Sequence, residues 1–115
     1  MPLNHNDADL SAVTSGTGPK HDTQGFTNHS LFTFWNGTFT AGAVVLEGSA
    51  DGTNWFVLAT RTGASNSTFI DAPSINPLAV KYLRCRISVA LTGGVVVTAY
   101  VTSSGPLPND AGWSG

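Results

Sequence analysis

The sequence contains few charged residues. Asp, Glu, Lys and Arg make up 10% of its 115 residues, against about 25% in an average globular domain. Soluble monomers usually carry more charge to resist association, so the scarcity indicates a surface partly covered by other protein subunits. Only five residues are Lys or Arg, and the formal net charge is −2. Nucleic-acid binding is therefore not expected, because phosphate recognition needs clustered cations.

Cysteine and long apolar runs are also scarce. Cys85 is the only cysteine, which excludes an intramolecular disulfide. Residues 1–7 lack the basic start and apolar run of a secretory signal. No apolar run approaches the ~20 residues that a membrane-spanning helix needs. We therefore expect a soluble protein that is made in a reducing cytosol and has no membrane partner.

Helical periodicity is missing, and short apolar runs separated by turn signals take its place. The predicted strands cover residues 29–35, 43–48, 55–60, 67–71, 82–91 and 95–102, with residues 38–42 as a further short strand or a loop. Ser49-x-Asp51-Gly52-x-x-Trp55 predicts a hairpin turn, and Asn36-Gly37 predicts a second tight hairpin. The pattern favours an all-β, antiparallel β-sandwich of seven to eight strands, either jelly-roll or immunoglobulin-like, with the strand order open.

Composition divides the chain into three parts. Residues 1–25 have no aromatic side chain and contain helix-breaking Gly and Pro, which predicts an extended or disordered N-terminal arm. Residues 26–103 form the predicted sandwich domain. Residues 104–115 hold two prolines and form a predicted irregular Pro/Gly-rich C-terminal tail.

Strict alternation predicts which side chains enter the core. The predicted inward residues are Leu83, Cys85, Ile87, Val89 and Leu91 on one strand and Val95, Val97, Ala99 and Val101 on the next. Cys85 is therefore expected to be a core residue and not an exposed nucleophile.

The sequence offers few groups for catalysis or metal binding, and we expect a non-enzymatic protein without a cofactor or metal. His5 and His21 precede the predicted domain, and His29 lies at the start of its first strand. His5, Asp7, Asp9 and His21-Asp22 hold suitable metal-ligand atoms, but nothing in the sequence fixes their geometry.

With catalysis and metal binding not expected, the remaining function is binding to a partner protein. The candidate residues for it are Trp113, Arg84, Arg86, Tyr82 and Tyr100. Arg84 and Arg86 share a strand face with Tyr82, either to dock a carboxylate-bearing partner or to form cross-strand pairs on a solvated face. Trp113 in the tail either folds back into a groove or, as we favour, anchors to a neighbouring subunit.

Three segments, residues 37–55, 82–87 and 93–101, resemble the small all-β virion proteins of tailed bacteriophages. The most characteristic phrase is Gly48-Ser49-Ala50-Asp51-Gly52-Thr53-Asn54-Trp55. The similarity is greatest to capsid decoration or cement proteins. It is looser to other phage head, tail and baseplate sandwiches and to discoidin-like carbohydrate-binding domains.

The resemblance implies a structural virion protein that is assembled in the host cytoplasm onto the capsid surface. Such a protein binds the major capsid protein, associates with itself as a homodimer or homotrimer, and strengthens the shell. Two alternatives remain open. One is a tail or neck component, and the other is a carbohydrate-binding module that uses exposed Trp35, Tyr82 or Tyr100 as a stacking platform.

Overall fold

The computed structural model of the chain describes residues 8–72 and 80–104, and within these ranges it contains eight β-strands and no helix. The strands are β1 Leu10–Val13, β2 His21–Asp22, β3 Asn28–Asn36, β4 Ala41–Ser49, β5 Trp55–Thr62, β6 Ser67–Asp71, β7 Tyr82–Thr92 and β8 Val96–Ser104. Across the described residues, therefore, no helical segment has the length and apolar character to cross a bilayer.

The strands form two antiparallel four-stranded sheets, which confirms the predicted all-β sandwich. The first sheet has the order β1-β8-β3-β6, and the second has the order β2-β7-β4-β5. The chain passes from one sheet to the other at every connection except that between β4 and β5. Because both sheets turn an apolar face inward, the core lies between them.

The β4–β5 connection is the hairpin predicted around Asp51, with Ser49 opposite Trp55. The second predicted hairpin, at Asn36-Gly37, is wrong because β3 pairs with β6 and β8 and not with β4. Gly37 has a φ of 113°, and this left-handed conformation turns the chain out of the first sheet toward the second.

The alternation on β8 is confirmed, since its predicted inward residues are all buried. On β7 the prediction is correct except at Val89, whose side chain is 51% exposed. The β4–β7 register shifts on both sides of Ala43, the residue opposite Val89. This irregularity breaks the two-residue period that the prediction assumed.

The N-terminal segment contributes an edge strand to each sheet. Strand β1 pairs with β8, and β2 pairs with β7. Leu10 reaches the core, and the Gly18 N–H donates to the Cys85 carbonyl at 2.7 Å. The division into arm, domain and tail remains a prediction, but residues 10–22 of the predicted arm lie within the sandwich. The tail from residue 105, including Trp113, lies outside the described residues.

Pairs of polar side chains close the two long sides of the sandwich. On one side, Arg61 of β5 donates to both carboxylate oxygens of Asp71 in β6, at 2.9 and 2.5 Å, and lies over the ring of Phe69. On the other side, Asp9 lies 2.9 Å from Nε2 of His21 and accepts a hydrogen bond from the backbone of Val101 in β8. Each pair thus joins elements of the two sheets.

Candidate interaction faces

The outer face of the second sheet carries a cluster of one acidic and two basic side chains. We call it the charged face and define it by Glu47 on β4, Trp55 on β5, and Tyr82, Arg84 and Arg86 on β7. The register places Glu47 opposite Arg84, so the carboxylate lies between the two arginines. Arg84 Nε donates to Glu47 Oε1 at 2.8 Å, and Arg86 donates to both oxygens at 3.3 and 3.1 Å.

Glu47 is buried although it lies on an outward-facing row, because the arginine side chains cover it. Burial raises the pKa of its carboxyl, but hydrogen bonds and positive charge from Arg86 and Arg84 outweigh that effect. The pKa is therefore lower than the ordinary value for Glu. The carboxylate stays ionised at neutral pH and fixes both guanidinium groups in place.

Aromatic rings extend this arrangement along the charged face. The Arg84 guanidinium lies 4.1 Å from the centre of the Trp55 ring. Lys20 and Lys81 lie 4.7 and 5.8 Å from the centre of the Tyr82 ring. These are cation–π distances, and they hold long side chains in defined positions.

The predicted partner-binding residues that the structure describes lie on two different sheets. Tyr82, Arg84 and Arg86 lie together on the charged face, where the arginines form the cross-strand pairs that one of the two interpretations expected. Tyr100 lies on the opposite sheet, and Trp113 is outside the described residues. Glu47 and Trp55 also belong to this face, although the sequence did not single them out. Glu47 follows the core residue Leu46 on β4, but the nearly continuous apolar pattern of the hairpin hid which side it faces.

Asp51 caps the hairpin turn that the sequence predicts around it. Asp51 Oδ1 accepts hydrogen bonds from the backbone N–H groups of Thr53 and Asn54, both at 2.8 Å, and Oδ2 accepts one from the Asn54 side chain. These bonds hold the pKa of Asp51 well below its ordinary value. Gly52 has a positive φ, at 80°. The Asp51 carboxylate therefore stabilises the turn through hydrogen bonds to residues of the turn.

The outer face of the first sheet has a different character. We call it the neutral face and define it by the outward-facing residues of β3, β6 and β8. Those residues are Asn28, Ser30, Phe32, Phe34, Asn36, Thr68, Ile70, Val96, Thr98, Tyr100, Thr102 and Ser104. The Phe34 and Tyr100 rings meet edge to face, with 5.9 Å between their centres. Phe32 and Phe34 lie on the same side of β3, and the surface that they form was not predicted from the sequence.

Three other side chains that could take part in catalysis, those of His29, Ser103 and Cys85, lie inside the sandwich. His29 Nδ1 and Ser103 Oγ are 2.9 Å apart, on paired and buried positions of β3 and β8. Cys85 is fully buried, as predicted. Burial raises the pKa of its thiol, and the negative charge of Asp9 raises it further. These groups join strands within the core.

The structure places two residues that the sequence offered as candidate site residues, Trp35 and Asp9. Trp35 is 3% exposed, so its proposed role as an exposed sugar-stacking ring is wrong. Its ring packs inward, edge to face with Phe39. Asp9, considered as a metal ligand, contacts His21 and Cys85, whereas His5 and Asp7 lie outside the described residues. Among the residues that the structure describes, no three His, Cys, Asp or Glu side chains are grouped to hold a metal ion.

Comparison with known proteins shows a likeness of fold. No protein-family model and no curated protein matches the chain. The fold is similar to that in the crystal structure of SPBc2 prophage-derived protein YomS, with a TM-score of 0.56 and 14% sequence identity. The superposition covers 90% of this chain and 96% of that chain. At this identity the likeness establishes a shared fold.

Proposed function

We propose that the chain is a structural virion protein of a tailed bacteriophage, and that it binds the major capsid protein shell as a decoration or cement protein. The sequence resemblance and the fold shared with a prophage-derived protein both support a phage origin. The observation that carries the proposed role is the charged face, which has the composition and order of a docking surface.

Trp, Tyr and Arg dominate the binding energy of protein interfaces, and the charged face presents Trp55, Tyr82, Arg84 and Arg86 together. Arg84 and Arg86 are held by Glu47 before any partner arrives. Binding therefore costs less side-chain entropy than it does for freely rotating arginines. Many copies on one shell add these contacts together, so modest individual affinity is sufficient.

The test is binding to capsids of the phage whose genome encodes the chain, prepared without this protein. The full chain is mixed with these particles, and its occupancy is measured after sedimentation. We expect the wild type to bind and an Arg84→Gln/Arg86→Gln variant to lose at least about tenfold in affinity. A Val89→Thr variant, altered at an exposed position on the same strand, should bind like the wild type.

Trp113→Ala tests the predicted anchoring role of the tail in the same assay. Labelling of intact virions with an antibody against the chain then locates the protein. Label over the capsid supports the proposal, whereas label over the tail or neck supports the alternative structural role. Wild-type occupancy by the double arginine variant, or absence of the protein from purified virions, contradicts the proposal.

A further inference from the structure

The two broad faces of the sandwich differ in charge. Among all residues of β1, β3, β6 and β8, the only Asp, Glu, Lys or Arg is Asp71. Asp71 is bonded to Arg61 at the side of the sandwich and is absent from the neutral face. The outer face of the first sheet is therefore free of formal charge across its full width.

Apolar side chains form a continuous row at the centre of the neutral face. Phe32 lies on the central strand β3, with Ile70 as its partner on β6 and Tyr100 as its partner on β8. Phe34 extends the row by packing against Tyr100. Ile70 is 63% exposed and Phe34 is 40% exposed. An apolar patch of this kind on a small soluble protein marks an interface.

We propose that a second copy of the same chain covers this surface, giving a face-to-face dimer with twofold symmetry. A charged partner surface would lose its water against the neutral face and gain no opposite charge in return. A second neutral face carries no charge to desolvate. Homodimer interfaces are also more apolar than other interfaces, and their cores are depleted of charged residues.

The size of the neutral face allows a small dimer interface. Strands β3 and β8 have nine residues and are about 30 Å long, whereas β6 has five and is about 17 Å long. At about 4.8 Å per strand, each copy offers roughly 370 Å² in projection, and two copies bury roughly 740 Å² before side-chain relief is included. This is below the about 1,000 Å² of a stable specific interface, so the dimer is expected to be weak.

The lateral edges are less suited to self-association. Strand β5 is interrupted by a register shift where β4 passes from Leu46 to Glu47, and β1 is interrupted around Ala12, which has a φ of 51°. The other two edge strands, β2 and β6, have two and five residues. Bulges and short edge strands oppose edge-to-edge pairing, which leaves the neutral face for the second copy.

The test is sedimentation equilibrium of the full chain over a range of concentrations, without capsids. We expect a monomer–dimer equilibrium in the wild type. Ile70→Lys should raise the dissociation constant at least about 30-fold, because twofold symmetry places a new buried lysine on both sides of the interface. Phe34→Ser is a second variant that removes apolar area without adding charge, and we expect a smaller shift in the same direction.

Val57→Lys provides the matched control, since Val57 is 51% exposed on the second sheet. It should dimerise like the wild type. Thermal melts of all variants establish that each is folded at the temperature of the measurement. The proposal is overturned if the wild type is monomeric at about 100 μM, if it forms a closed trimer, or if Ile70→Lys and Val57→Lys behave alike. Because no capsid is used, these results are independent of the proposed virion role.

Discussion

The Glu47→Gln substitution removes the negative charge that lies between Arg84 and Arg86 while keeping the shape of the side chain. Glu47 accepts three N–H···O contacts from the two guanidinium groups, at 2.8, 3.3 and 3.1 Å. Its side chain is 5% exposed, and those of Arg84 and Arg86 are 25% and 35% exposed. The substitution therefore weakens the hydrogen bonds and leaves two cations without a counter-charge, and both effects destabilise the folded protein.

Charge-assisted hydrogen bonds contribute about 1.5–3 kcal/mol each where they are buried. Both arginines can regain water after the substitution, and glutamine can still accept one bond, so the full sum is not lost. We expect the free energy of unfolding at pH 7 to fall by about 2 kcal/mol. Urea unfolding of both proteins, followed by tryptophan fluorescence, measures the difference.

The pH dependence of that difference follows from the lowered pKa of Glu47. In the unfolded chain the carboxyl titrates near its ordinary value of 4.5, whereas in the folded protein it titrates lower. The folded state therefore favours the ionised carboxyl, and its stabilising contribution is complete above the unfolded pKa. It is lost as the pH falls through the folded pKa, where protonated Glu47 resembles glutamine. The gap between the two proteins should close toward pH 3.

An exposed ion pair provides the control. Lys81 and Asp22 are 3.6 Å apart, and both side chains are about half exposed. Asp22→Asn should change the free energy of unfolding by less than about 0.5 kcal/mol. The reasoning is refuted if Glu47→Gln costs no more than Asp22→Asn at pH 7, or if its cost is the same at pH 3 as at pH 7.

Two further predictions concern the interior. Gly63→Ala places a Cβ against the Trp35 ring and 2.8 Å from Phe39, so we expect a loss of about 1–3 kcal/mol in urea unfolding; a loss under about 0.5 kcal/mol contradicts this packing. Cys85 is buried and its thiol pKa is raised, so an aromatic disulfide reagent should label it at least about 100-fold more slowly in the native protein than in guanidinium. Equal labelling rates in the two conditions would show that the thiol is accessible.

Local features of the fold were predictable from the sequence because the residues that stabilise them are close neighbours along the chain. The β4–β5 turn is held by Asp51 bonds to Thr53 and Asn54, two and three positions away. The inward residues of β8 follow from the two-residue period that any strand imposes on its side chains. The burial of Cys85 followed from the same rule on β7.

Other features depended on pairings between distant residues. A positive φ at Gly37 suits a hairpin and a crossing between sheets equally well, and the pairing of β3 with β6 and β8 decided between them. The N-terminal segment has a weak local strand signal. It lies in the sandwich because Leu10 is opposite Ala99 and Asp9 accepts a bond from Val101.

By itself, then, the sequence determined an all-β chain with a capped central hairpin, a buried thiol and few charges. Only the tertiary structure decided that Glu47, Arg84 and Arg86 lie together on one face, and that the opposite face has a central apolar row and no formal charge. Successive residues of a strand point to opposite sides of its sheet, and the sequence shows this alternation. Strand order decides which residues of different strands become neighbours, because only pairing across the sheet brings Glu47 to Arg84, or Phe32 to Ile70 and Tyr100.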